Sequence, residues 1–131
     1  MTTYVLDDND GVRTVLVELL GAADGVVVVG SSATVEVAVR EIVRLRPQVV
    51  VVDGRMPDGD GLRVCQTLRT VAPGVACVIV AVGVETWGAP EAAAAGAAAY
   101  VLKAPKSFRL VEVIRAVADG ARPLDGLIEP R

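Results

Sequence analysis

The segment Val49–Gly61 reads VVVVDGRMPDGDG. Four consecutive valines are β-branched and apolar on every face, so they suit a strand covered on both sides. The strand ends on the carboxylate of Asp53, and a polar loop with three glycines and two further acids, Asp58 and Asp60, follows it. A turn that glycine-rich can bend tightly beside whatever gathers around Asp53.

Working outward, the same grammar repeats. Thr2–Leu6 is a short apolar run that ends on Asp7 and Asp8. Val12, Val15, Leu16, Leu19 and Leu20 fall at helical spacing, with Gly21 as a stop. Val26–Val29 predicts a buried strand closed by Gly30, Ser31 and Ser32. A helix over Ala33–Leu45 follows, with Val35, Ala38, Val39, Ile42 and Val43 on one side, and Pro47 ends it. After the valine strand, Gly61–Ala72 predicts a helix through Leu62, Val64, Cys65 and Leu68. Val75–Val82 predicts the fourth strand, with Ala81 or Val82 closing it. The alanine-rich Glu85–Gly96 segment predicts a helix starting near Ala89, because Pro90 fits a first turn. Ala99–Leu102 predicts the fifth strand, and Ser107–Asp119 a last helix capped by Ser107 and stopped by Gly120.

Five strands alternating with five helices, with the inner strands apolar on both faces, define an α/β domain. The expectation is a flavodoxin-like, doubly wound, five-stranded parallel sheet of order 2-1-3-4-5. Residues 1–120 form that domain on this reading, and 121–131, with two prolines, read as a tail or the start of a linker.

Composition narrows the chemistry. The 131-residue chain has no histidine, which removes Ser-His triads, His-ligated metals and a phosphohistidine carrier. A net charge of −3 and only four aromatics (Tyr4, Trp87, Tyr100 and Phe108) argue against nucleic-acid binding by this segment. No apolar run approaches the ~20 residues of a membrane span, and the start shows no basic n-region of a signal peptide. Cys65 and Cys77 read as small core residues of a protein in a reducing, cytoplasmic compartment.

In such folds ligands bind beyond the carboxyl ends of the strands. Asp7 and Asp8 follow strand 1, Asp53 follows strand 3, and Lys103 follows strand 5. Each alone has an ordinary explanation. Asp8, Asn9 or Asp10 suits a helix cap, Asp53 a turn, and Lys103 a solvated strand end. Together they predict three carboxylates and one ammonium at one edge of the sheet. Clustered carboxylates repel unless protonated or bridged by a cation. Oxygen-only ligands suit Mg²⁺, and an aspartate can attack phosphorus to give an acyl phosphate.

These residues resemble the receiver domain of a bacterial two-component response regulator: the Asp pair in YVLDDND, Asp53 ending VVVVD, the RMPDGDG loop and VLK closing strand 5. The AGAAAYVLK and RAVADG segments are similar to receivers of LuxR/NarL-type transcription regulators. The resemblance implies Asp53 as phosphoacceptor, with a sensor histidine kinase as donor. It implies Mg²⁺ held by Asp8 directly, by Asp7 through water, by Asp53 and by the backbone carbonyl of Arg55. Lys103 would pair with the phosphoryl group, and Tyr100 would be the aromatic whose rotamer reports phosphorylation. The face of helix 4, strand 5 and helix 5 would repack and mediate a homodimer. DNA contact is expected only through an output domain, because the 11 residues after Gly120 (131 − 120) cannot form a helix-turn-helix.

Two departures stand out. The family places Thr or Ser at the end of strand 4, and counting back from Lys103 puts Ala81 there. Alanine offers no hydroxyl, and a hydrogen bond to a charged group is worth ~1.5–3 kcal/mol. Phosphorylation is therefore expected to shift the active population less than in a typical receiver. The bond after the lysine, often cis in the family, is Lys103–Ala104 here and is expected to be cis.

Two other readings compete. An atypical receiver, regulated by a ligand or protein without phosphorylation, draws on Ala81. A haloacid-dehalogenase-type phosphatase needs a second acid two residues after its nucleophile, where this chain has Arg55. A flavodoxin would need a phosphate-binding loop after strand 1, which is absent from the sequence.

Overall fold

The computed structural model describes residues 1–54, 61–81, 88–102 and 109–120. The elements run β1 (Thr2–Leu6), α1 (Asp10–Gly21), β2 (Val27–Ser32), α2 (Val35–Leu45), β3 (Val49–Asp53), α3 (Gly61–Val71), β4 (Ala76–Ala81), α4 (Ala89–Ala94), β5 (Ala99–Leu102) and α5 (Leu110–Ala118). The sheet is parallel, in the order β2-β1-β3-β4-β5. This is the flavodoxin-like topology that the sequence predicts.

Strand residues alternate between two cores, as the period of two requires. Tyr4, Leu6, Val50, Val52, Ile79 and Tyr100 pack with Ile42 of α2, Leu68 of α3 and Ala92 of α4. Val5, Val49, Val51, Val78, Val80 and Val101 pack with Leu16 and Leu20 of α1 and with Ile114 of α5. All four β3 valines have no exposed surface, and each contributes about 1.5–3 kcal/mol relative to exposure. The strand that ends on Asp53 is therefore held from both sides. Cys65 and Cys77 are buried free thiols in the first core, as expected. The Cys65 thiol beside it, together with burial, holds the Cys77 pKa well above the ordinary thiol range.

Several boundaries differ from the sequence expectation. The second strand is not Val26–Val29: it runs through Gly30, Ser31 and Ser32, which pair with Tyr4, Val5 and Leu6. The ladder is made by backbone groups, so polar side chains do not end it, and β2 is a sheet edge with Val27 57% exposed. The register skips Val29 between Thr3 and Tyr4. In α1 only Leu16 and Leu20 are buried, while Val15 and Leu19 are exposed. The helix lies near the edge of the sheet, beside β2, and the sheet covers a narrower stripe than the apolar spacing suggested.

Asn9 is the cap of α1, its side chain accepting from the Val12 amide at 2.9 Å. The fourth strand is described over Ala76–Ala81, and Val82 lies outside the described residues. Helix α4 begins at Ala89 as expected and stops at Ala94, two residues early, because the chain turns through Gly96 at φ +96°. The last helix starts at Leu110 behind Arg109, which makes no side-chain cap bond, and not at the expected Ser107; the Lys103–Ala104 bond lies outside the described residues.

Candidate functional site

Strands β1 and β3 are neighbours, so their carboxyl ends open on the same rim. One carboxylate oxygen from each of Asp7, Asp8 and Asp53 lies within 4.8 Å of the other two. Asp7 is buried at 1% exposure, Asp53 is half-buried, and Asp8 is exposed. Three carboxylates this close repel strongly when ionised, and a shared cation relieves that repulsion. In octahedral coordination at ~2.1 Å, ligand oxygens sit roughly 3–4.2 Å apart. A hard donor set of oxygens only, one of them open to solvent, fits Mg²⁺.

Asp7 and Asp53 are placed by backbone ties. The Asp7 amide donates to the Ser32 carbonyl at 3.2 Å, joining the rim ends of β1 and β2. Its carboxylate accepts from the Asn9 amide at 2.9 Å. Beyond Asp53, the Gly54 amide donates to the Val80 carbonyl at 2.9 Å, which extends the β3–β4 ladder past the acid. The Gly61 amide then returns to the Gly54 carbonyl at 3.1 Å. A Cβ on Gly61 would stand 3.1 Å from the Asp53 carbonyl oxygen and 3.1 Å from the Gly54 Cα. The first residue of α3 thus rests directly on the backbone of the acid, a contact that only glycine permits without displacement.

Of the predicted site residues, the structure brings together Asp7, Asp8 and Asp53. Lys103 and the Arg55 carbonyl lie outside the described residues. Ala81 is fully buried at the end of β4, and Tyr100 of β5 is buried in the same core at 5% exposure. Ala81 pairs with Leu102, and Ile79 with Tyr100. Sequence reasoning missed Arg13, whose Nη1 donates to the Asp7 carbonyl at 2.9 Å and whose Nη2 meets the Asp10 carboxylate at 2.6 Å. Its signal was only positional: it stands one turn inside α1, three residues after Asp10.

A parallel 2-1-3-4-5 sheet with an acidic trio over strands 1 and 3 defines a class, and comparison with known proteins agrees. The family model for the response regulator receiver domain matches residues 4–115, and the chain belongs to that family. It is 35% identical over 122 residues to the DNA-binding transcriptional activator DevR/DosR of Mycobacterium tuberculosis, covering 93% of this chain and 56% of that protein. It is 35% identical over 118 residues to the response regulator GacA of Pseudomonas viridiflava, covering 90% of this chain and 55% of GacA. Among solved structures, a two-component response regulator of the LuxR family from Aurantimonas sp. SI85-9A1 superposes with a TM-score of 0.83 at 27% identity, covering 92% of this chain and 86% of that one. The chain spans about half the length of the curated relatives it matches. Among the described residues no helix is long and apolar enough to cross a membrane.

Proposed function

We propose that this domain is the phosphoacceptor of a two-component pair, taking a phosphoryl group on Asp53 from a sensor histidine kinase. The observation that carries the reading is the gathering of Asp7, Asp8 and Asp53 within 4.8 Å. A carboxylate oxygen of Asp53 attacks phosphorus in line; the phosphorus–nitrogen bond to the kinase imidazole breaks, and that nitrogen keeps the electron pair. Asp8 and Asp53, with Asp7 through water and, as the family resemblance implies, the Arg55 carbonyl, would hold Mg²⁺. When bound, Mg²⁺ offsets the charge on the phosphoryl oxygens. Lys103 pairs with the same oxygens, as the family resemblance implies. The domain has no separate turnover substrate; self-phosphorylation and slow self-hydrolysis are its whole chemistry.

The response passes to the face of α4, β5 and α5, which serves as a homodimer surface. Similarity to DevR/DosR and to a LuxR-family regulator supports transcription as the output, reached through a DNA-binding domain. Residues 1–120 are the receiver and 121–131 a tail or linker start. The setting is cytoplasmic. An atypical receiver that ignores phosphate is favoured by one observation: Ala81 is a fully buried methyl where a hydroxyl would bond a phosphoryl oxygen.

Incubation with acetyl phosphate and Mg²⁺, read by mass spectrometry, separates the two. The parent should gain one phosphoryl group, and Asp53→Asn or chelated samples none. Equal labelling of Asp53→Asn, or none on the parent, sinks the phosphoacceptor reading. With beryllofluoride, Ala81→Thr should give a larger shift of the Tyr100 ring resonances than the parent, since it restores the missing hydroxyl.

A further inference from the structure

Asp8 is the exposed member of the trio, and among the described residues nothing hydrogen-bonds its carboxylate. Its aim is therefore set by the backbone of the β1–α1 loop that carries it. That loop is tied at both flanks by one side chain. Arg13, 21% exposed, reaches back from α1 with Nη1 on the Asp7 carbonyl and Nη2 on the Asp10 carboxylate. The two anchors bracket Asp8. Arg13 is itself fixed, since its amide donates to the Asn9 carbonyl at 2.8 Å in the first turn of the helix.

We propose that Arg13 is a positioning residue for the divalent cation: its two-pronged grip pre-forms the loop so that Asp8 meets Asp7 and Asp53. The inference rests on the acidic pocket being a cation site, as proposed above. Arg13 adds a positive charge near the site, and a charge alone would oppose cation binding. The net benefit comes from geometry. The planar guanidinium spans a carbonyl and a carboxylate at once, which a lysine ammonium on a flexible stem does not reproduce.

For Arg13→Gln charge and geometry predict opposite results, and for Arg13→Lys only geometry predicts a change. Mn²⁺ is titrated into the full chain in about 1 M KCl, where fields of exposed charges are screened within roughly 3 Å. Free Mn²⁺ is read by electron paramagnetic resonance. Arg13→Gln and Arg13→Lys should each weaken binding roughly tenfold, as loss of an outer support does at other metal sites. Asp10→Asn, at an 84% exposed side chain that packs in no core, should weaken it by a smaller factor in the same direction. Unchanged affinity in all three, or tighter binding by Arg13→Gln, overturns the proposal while leaving the pocket intact. A parent that binds no Mn²⁺ removes the pocket reading and this proposal with it. If Arg13→Gln melts below the working temperature, Arg13→Lys, which keeps the charge and loses only the two-pronged geometry, decides.

Discussion

Tyr4 has no exposed surface, its ring lies against the Gly30 backbone, and its hydroxyl donates to the Glu41 carboxylate. Burial first, and the Glu41 bond second, push its pKa up to about 12. The unfolded chain loses that proton near pH 10 while the folded one keeps it. Stability from this group is therefore complete below about pH 10 and is lost as pH rises towards 12. The expected slope is about 1.4 kcal/mol per pH unit. Urea unfolding across that range should show the loss in the parent and a flatter profile in Tyr4→Phe; identical slopes would refute the assignment. At this scale legibility was uneven. Asp7, Asp8 and Asp53 could be read because strand ends in a parallel sheet converge. Arg13 could not, since an arginine one turn into an amphipathic helix looks the same whether it grips a loop or faces water.

Among the elements, α4 has the thinnest attachment. It is six residues long and mostly alanine, and among its described side chains it buries only Ala92, with Ala95 just beyond its end. Its start is tied by the Gly88 amide donating to Glu91 at 2.8 Å. Its end is tied from another element: Arg69 of α3 donates to the Ala94 carbonyl at 2.7 Å. Gly96 makes room for that arm, since a Cβ there would lie 2.7 Å from the Arg69 Nε. Arg69→Ala should raise hydrogen exchange at the Ala95 and Ala97 amides severalfold, because a helix this short has little stability of its own. Gly96→Ala should do the same and also cost about 1–2 kcal/mol, from the positive φ as well as the contact. Unchanged exchange in Arg69→Ala would show that the alanine packing alone holds α4. An alanine run signals a helix but not what grips its end, so this arm was not legible. The extent of β2 was hidden for a related reason, since its last three residues are held by backbone pairing.

For the molecule as a whole, the acidic rim should make stability depend on the ionic medium. Without a divalent ion, Asp8→Asn should raise Tm, because it removes a repelling charge. With Mg²⁺ at about a hundred times its Kd, the parent should gain about 2.7 kcal/mol, a Tm rise of roughly 10 °C. The variant should gain much less, so the order of the two melts reverses. The same order in both media would count against a cation at the trio. The strand order and two-sided core were legible from the alternation of valine runs and amphipathic helices, because sheet burial and parallel connection leave few other arrangements. How α3 seats itself against β3 was not, since that depends on one clearance too small for any pattern to register.

That clearance has a consequence for engineering. The hydrogen that Gly61 carries in place of a methyl lets α3 bear on the peptide plane behind Asp53, where a Cβ would press on it. Grafting the trio onto another parallel sheet without this vacancy would tilt Asp53 out of line with its companions. The smallest side chain in the loop is as much a part of the device as the charged ones.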